Sequence, residues 1–354
     1  MISHLNRLLC IAAVAAITGC VSTPPPIQEH YYWPPLPDRP YLEWTNAYQS
    51  QLDLGKSDFQ RFKAAILGED APIKLVKPIE ARSDAVNDKL YVADIGVPAV
   101  FVFDRKNNEL RTLSAENAPP LSHPISMAFD EDNNLYVLER RFSNILVFAP
   151  NEKLLHSFTI QPFSKIPIAM AINKKTRRIY VSDGETNRIN VLDYSGKLLF
   201  SFGKAGDKEG EFNMPVSIAV SGNGDLYVVD AFNARIQIFS PDGVYKRKIG
   251  RRGDGLADFQ LIKAVAIDSD NNIYVAEGRT HQIKVFNTNG DLLLVFGDFY
   301  MVSSTGKRAP GGFAVPVSMD IDAKDRLYVV DQLNARIQAF QYMSDEYLKT
   351  HPIK

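Results

Sequence analysis

A pentapeptide that returns six times, with turn signals between its copies, predicts an all-β chain. The fold expected is a six-bladed β-propeller of four-stranded blades, preceded by an N-terminal export signal, a Pro-rich tether and one short helix. The copies are Leu90-Tyr91-Val92-Ala93-Asp94, Leu135-Tyr136-Val137-Leu138-Glu139, Ile179-Tyr180-Val181-Ser182-Asp183, Leu226-Tyr227-Val228-Val229-Asp230, Ile273-Tyr274-Val275-Ala276-Glu277 and Leu327-Tyr328-Val329-Val330-Asp331. Their tyrosines lie 44 to 54 positions apart. A period in the forties built from short strands marks propeller blades rather than a helical solenoid.

One unit displays the parts. Ser217 to Val220 reads as a first strand, and Ser221-Gly222-Asn223-Gly224-Asp225 as a hairpin turn that accepts positive φ. Leu226 to Val229 is the second strand and Arg235 to Phe239 the third. Pro241-Asp242-Gly243 turns into a fourth, Val244 to Ile249. Six such units occupy roughly 78–348. The widest spacing comes from an insertion in the loop Asp298 to Gly312, between blades five and six. Blade six is expected to supply its own fourth strand, Tyr347 to Thr350. The strand around Tyr41–Thr45 is then packed outside the ring; the alternative is that it joins blade six and latches the ends.

The innermost strands align on Pro78, Pro124, Pro167, Pro215, Ile262 and Pro316. One position on, the column reads Ile79, Ile125, Ile168, Val216, Lys263, Val317; four positions on, it reads Arg82, Ala128, Ala171, Ala219, Ala266, Asp320. Strands crowd near a propeller axis, so small and apolar residues are expected there. Lys263, Arg82 and Asp320 break the pattern. Blades one and six are neighbours in a closed ring, which sets Arg82 level with Asp320 as an expected closing ion pair. A polar ligand site in the channel is the sharper alternative.

The N-terminus reads as targeting. Arg7 precedes an apolar run from Leu8 to Ile17, too short for a stable membrane-spanning helix. The run ends in Ile17-Thr18-Gly19-Cys20, which resembles the lipobox of bacterial lipoproteins. The resemblance implies cleavage before Cys20, a lipid on its sulfur and an acylated N-terminus, which together anchor lastingly. The absence of Asp beside Cys20 is similar to outer-membrane sorting. Residues 1–19 are thus the expected signal and 20–40 a stiff Pro-rich tether. Residues 41–77 hold a strand and a short helix from Ser57 to about Leu67, and 78–354 the propeller.

Composition narrows function more than it names it. The chain has 354 residues, 40 basic and 41 acidic, so no net field attracts nucleic acid. Its two cysteines are Cys10 and Cys20, which leaves no thiol for a disulfide or a cysteine metal site in the body.

The strings Gly210-Glu211-Phe212-Asn213-Met214-Pro215 and Asp230-Ala231-Phe232-Asn233-Ala234-Arg235-Ile236-Gln237-Ile238-Phe239 resemble an NHL repeat. Blade three (Asp183, Asn187, Arg188) and blade six (Asp331, Asn334, Arg336) keep the pattern; blades one, two and five depart from it. The whole chain is similar to the NHL-repeat lipoproteins of Gram-negative bacteria. The Asp…Asn…Arg set is expected to be structural, fixing loops through backbone amides and a carboxylate–Arg pair. NHL propellers include protein-binding modules and a few lyases, the latter with three zinc-binding histidines around the channel. Only His123 stands near such a place here, so no metal and no cofactor are expected.

Candidate channel residues are therefore His123, Lys263, Arg82 and Asp320. Basic pairs Arg140-Arg141, Arg251-Arg252 and Lys307-Arg308 fall on loops of one face and form a candidate partner-binding rim. The function expected is a membrane-tethered, non-enzymatic binding or scaffold module of the cell envelope, with an envelope or secreted protein as partner. An envelope lyase or hydrolase using the channel mouth is the alternative.

Overall fold

A computed structural model describes residues 29–55, 72–114, 121–302 and 309–353. Within residues 31–354 the chain forms six antiparallel sheets around an axis. Five are four-stranded and one is five-stranded. Blade one runs from Pro78 to Thr112, blade two from Pro124 to Thr159, and blade three from Pro167 to Phe202. Blade four runs from Pro215 to Ile249 and blade five from Ile262 to Phe296. The second strand of every blade is the pentapeptide, and every residue of all six copies is buried. That is why the motif lacks the alternation of a half-wet strand: both its faces pack against neighbouring blades.

Blade six closes the ring differently from expectation. Its strands Pro316–Ile321, Arg326–Asp331 and Arg336–Tyr342 take their fourth partner from the N-terminus, Leu42–Tyr48. Leu42 pairs with Tyr342 and Tyr48 with Ile337, antiparallel. Residues 345–350 are helical, not a strand. The physical reason is local: the Ser344 hydroxyl caps the turn by accepting from the Tyr347 amide, with Asp345 and Glu346 in the first turn. The seven-residue Leu42–Tyr48 strand also buries more. Leu42 is fully enclosed, and Tyr48 packs edge-on against Phe103 of blade one.

Residues 31–33, expected within the tether, form a strand. Tyr31–Trp33 pairs with Leu42–Trp44 as a fifth strand on blade six. Trp33 packs against Phe296 and Phe340, at 5.8 and 5.5 Å between ring centres. The expected signal, Cys20 and the helix from Ser57 lie outside the described residues.

The crossings between blades share one construction. In the last three blades a buried phenylalanine (Phe212, Phe259, Phe313) fills the space under the crossing. Gly203 sits against Phe212 with φ of +86°, and a Cβ there would lie 2.4 Å from the ring. Only glycine meets both demands.

Candidate functional site

The acidic residue that ends each pentapeptide holds the crossing that enters its own blade. Asp94 accepts from the amides of Val76 and Lys77, Glu139 from His123, and Asp183 from Ile166. Asp230 accepts from Asn213, Glu277 from Leu261, and Asp331 from Ala314. All six carboxylates are buried. In blade four, Asp230 also accepts from Asn233 Nδ2 at 2.9 Å and Arg235 Nε at 2.8 Å, while Arg235 Nη2 donates to the Lys208 and Glu211 carbonyls. Blade six repeats this with Asp331, Asn334 and Arg336. Blade three does not: Arg188 is exposed, and Thr186 and Ser164 take its place on Asp183. These sets build loops and leave the axis to other residues.

The axis is a channel in two compartments. The upper one, on the side of the blade crossings, is a cavity of about 110 Å³. Its lining includes the whole first column: Ile79, Ile125, Ile168, Val216, Lys263 and Val317. The lower one, on the side of the first hairpins, is about 300 Å³ and includes the whole second column: Arg82, Ala128, Ala171, Ala219, Ala266 and Asp320. Arg82, Met170 and Ile218 line both and so mark the division between them.

Arg82 spans three blades. Its Nε donates to the Met127 carbonyl of blade two at 2.9 Å, and its Nη1 donates to Met319 O of blade six at 3.2 Å. Its nearest carboxylate is not Asp320 but Glu80, at 2.5 Å from Nη2. Asp320 Oδ1 stands 3.9 Å from Arg82 Nε, while Asp320 Oδ2 accepts from the Ser83 amide at 2.8 Å. The expected seam pair is thus a three-member group, Glu80–Arg82–Asp320, with Asp320 gripping backbone. Ser318 of blade six donates its hydroxyl to Glu80. Burial pushes both the Glu80 and Asp320 carboxyls up, against the downward pull of Arg82.

Glu80 is the residue that sequence reading missed. Its column, two positions after the aligning proline, reads Glu80, Ser126, Ala169, Ser217, Ala264 and Ser318, and it carried the same kind of signal. The serines of that column stitch blades together: Ser126 Oγ accepts from the Met170 amide and Ser217 Oγ from Val265.

Lys263 lines the upper compartment, its stem crossing Gly278. His123 lines neither compartment; its backbone amide is spent on Glu139. His281 is a loop residue, its Nδ1 accepting from Val315 N at 3.0 Å and its ring tilted on Phe299. Among the described residues, no group of three or more His, Cys, Asp and Glu side chains is arranged to hold a metal ion.

The face of the blade crossings carries Arg140, Arg141, Arg251 and Arg252 together with apolar side chains that sequence reading did not connect. Phe142, Phe232, Leu256, Phe299 and Leu333 are each more than half exposed there. Arg141 lies over the Phe142 ring at 5.6 Å. Arg251 is tied to Asp258 at 2.9 Å, and Arg252 donates to the Phe232 carbonyl. Arg140 and Arg279 are exposed, and neither forms an ion pair among the described residues. Lys307 and Arg308 lie outside those residues.

The fold and channel define a six-bladed β-propeller. A family model described as a 6-bladed beta-propeller (DUF5128) matches residues 215–293, blades four and five. Among solved structures, the chain is similar to a structural genomics protein of unknown function from Bacteroides thetaiotaomicron VPI-5482, with TM-score 0.59 and 15% identity over 75% of this chain and 70% of that one. An auxiliary nutrient binding protein from the same organism gives TM-score 0.58 and 14% identity, over 78% and 71%. A catalytically inactive virginiamycin B lyase from Staphylococcus aureus with quinupristin gives 0.54 and 11%, over 78% and 85%. At such identities the likeness is one of fold.

Proposed function

We propose that this protein is an NHL-type propeller lipoprotein, held in the bacterial cell envelope through Cys20, that binds a protein partner on the face of its blade crossings. The observation that carries the binding role is the set Phe142, Phe232, Leu256, Phe299 and Leu333, exposed on loops of a rigid scaffold that also carry Arg140 and Arg279, which form no ion pair among the described residues. Aromatic and arginine side chains of this kind anchor protein interfaces. The loop after blade five, which carries Phe299, adds exposed Met301 at the start of the Asp298–Gly312 insertion. The nutrient binding protein among the structural neighbours is compatible with a binding role, and the lyase with the enzymatic alternative. The binding role is favoured because Arg82 and Glu80, in the middle of the channel, are engaged with neighbouring blades.

In-cell crosslinking tests this reading. The Phe142→Asp/Phe232→Asp double variant is expected to lose the wild-type crosslinked partner while keeping its melting temperature, since both side chains are solvent-facing. An unchanged partner set overturns the assignment of this face. The anchor is tested separately: Cys20→Ser is expected to move the protein out of the membrane fraction, and a wild-type N-terminal peptide without lipid mass refutes it.

A further inference from the structure

The lower compartment has the volume of a small-ligand site, about 300 Å³, and walls of two kinds. Blades two to five contribute apolar surface, including Met170, Ile172, Ala219 and Val265. Blades six and one contribute the polar wall, Arg82, Ser83, Asp320 and Asp322. On that wall Asp322 is saturated by Ser83 Oγ, Arg326 and two backbone amides. Asp320 is not. Its Oδ2 accepts from Ser83 N, but no hydrogen bond among the described residues reaches Oδ1. Arg82 does not supply the missing donor, because its nitrogens are directed to the carbonyls of Met127, Ala81 and Met319 and to Glu80. The division of the channel therefore holds two carboxylates against one guanidinium. Lys174 of blade three also lines the compartment and acts on Asp320 through its charge, but it is exposed and makes no ion pair among the described residues.

We propose that the lower compartment binds a small molecule with a primary ammonium head and an apolar body, the head donating to Asp320 Oδ1 and the body lying on Met170, Ala219 and Val265. An ammonium supplies the hydrogen-bond donor that Asp320 Oδ1 lacks, and its positive charge strengthens that bond. A carboxylate-headed ligand meets the Asp320 and Asp322 carboxylates on that wall. Burial raises the Glu80 and Asp320 carboxyls, against the pull of Arg82 on both. This site is on the opposite face from the protein-binding loops and is independent of that reading.

The test is calorimetric titration of the purified full chain with n-hexylammonium, n-hexanol and n-hexanoate. The expected order is ammonium tightest, alcohol about tenfold weaker, and carboxylate without measurable binding. Asp320→Asn, which keeps an acceptor for Ser83 N, is expected to abolish the preference for ammonium over alcohol. Ala219→Leu, which narrows the apolar wall, is expected to weaken both. Hexanoate binding as tightly as hexylammonium, no binding by any probe, or an Asp320→Asn variant with the wild-type preference each overturns the proposal. Should Asp320→Asn fail to fold, the probe order in the wild type and the Ala219→Leu response decide it.

Discussion

Arg235 donates its Nε to Asp230 of its own blade at 2.8 Å, and both side chains are almost wholly buried. The pair does not join two blades. It joins a strand end to the crossing that enters the blade, because the other arginine nitrogen holds two crossing carbonyls. A repeated acidic residue that looks like a ring of binding groups is instead a ring of loop fasteners, and the loops so fixed can present side chains without collapsing.

Removing that carboxylate leaves a buried guanidinium and an unpaired Asn213 amide. Asp230→Ala is expected to cost about 3–5 kcal/mol in denaturant unfolding. Arg188→Ala in blade three, where the arginine is exposed, is expected to change stability by about 0.5 kcal/mol or less.

Closure by the N-terminal strand makes the ends of the chain interdependent. Leu42→Ala, at a fully enclosed position, is expected to cost about 2–5 kcal/mol. A chain beginning at Pro78 leaves the edge of Arg336–Tyr342 unpaired and is expected to unfold in a broadened, non-coincident transition by fluorescence and circular dichroism. A sharp two-state transition of that truncation would contradict the latch.

Asp268, in the first hairpin of blade five, accepts from Asn272 and the Tyr274 hydroxyl, yet burial pushes its carboxyl up to about 6. A raised carboxyl favours the folded state while protonated. Its contribution is full below the ordinary value near 3.8 and is lost as pH rises through about 6. Chemical denaturation from pH 4 to 7 is expected to show wild type losing up to about 3 kcal/mol relative to Asp268→Asn. Equal slopes for the two proteins would remove Asp268 as the cause.

Glu152 predicts the opposite sign. Burial raises its carboxyl, but hydrogen bonds from Arg111 and Lys89 of blade one outweigh this and hold it at about 2. Its contribution is present above about 4.5 and is lost as pH falls toward 2. Glu152→Gln is expected to be less stable than wild type at pH 7 and to converge with it near pH 2.

The seam group is expected to respond asymmetrically. Arg82→Met leaves Glu80 and Asp320 facing each other without a cation and is expected to cost about 3–5 kcal/mol at pH 7. Adding Glu80→Gln to it is expected to recover part of that loss in the same unfolding assay. An additive double variant would show that the two side chains do not interact.

Much of this was legible from the residues. Blade number, the buried pentapeptide, the two channel columns and the loop role of Asp230 and Asp331 follow from local repetition, because each blade meets the same surroundings and repeats the same answer. Glu80 was legible in principle, since it stands in a column as open to reading as that of Arg82. The capped turn at Ser344 was legible too, and its helix signal outweighs a strand reading of Tyr347–Thr350.

By itself the sequence determined the repeat, and with it the fold and the inner lining of the ring. Only the tertiary structure decided how the ring closes, whom Arg82 faces, and that Phe142, Phe232 and Leu333 come to one surface. The physical reason is the same in each case. A repeat encodes what neighbouring residues do within one blade, where the competing partners are few and close. The seam and the channel join residues more than 200 positions apart, such as Ser83 with Asp320, and the outer face gathers residues from different blades. There the winner is set by which strand, cation or loop buries most once the other five blades are already in place.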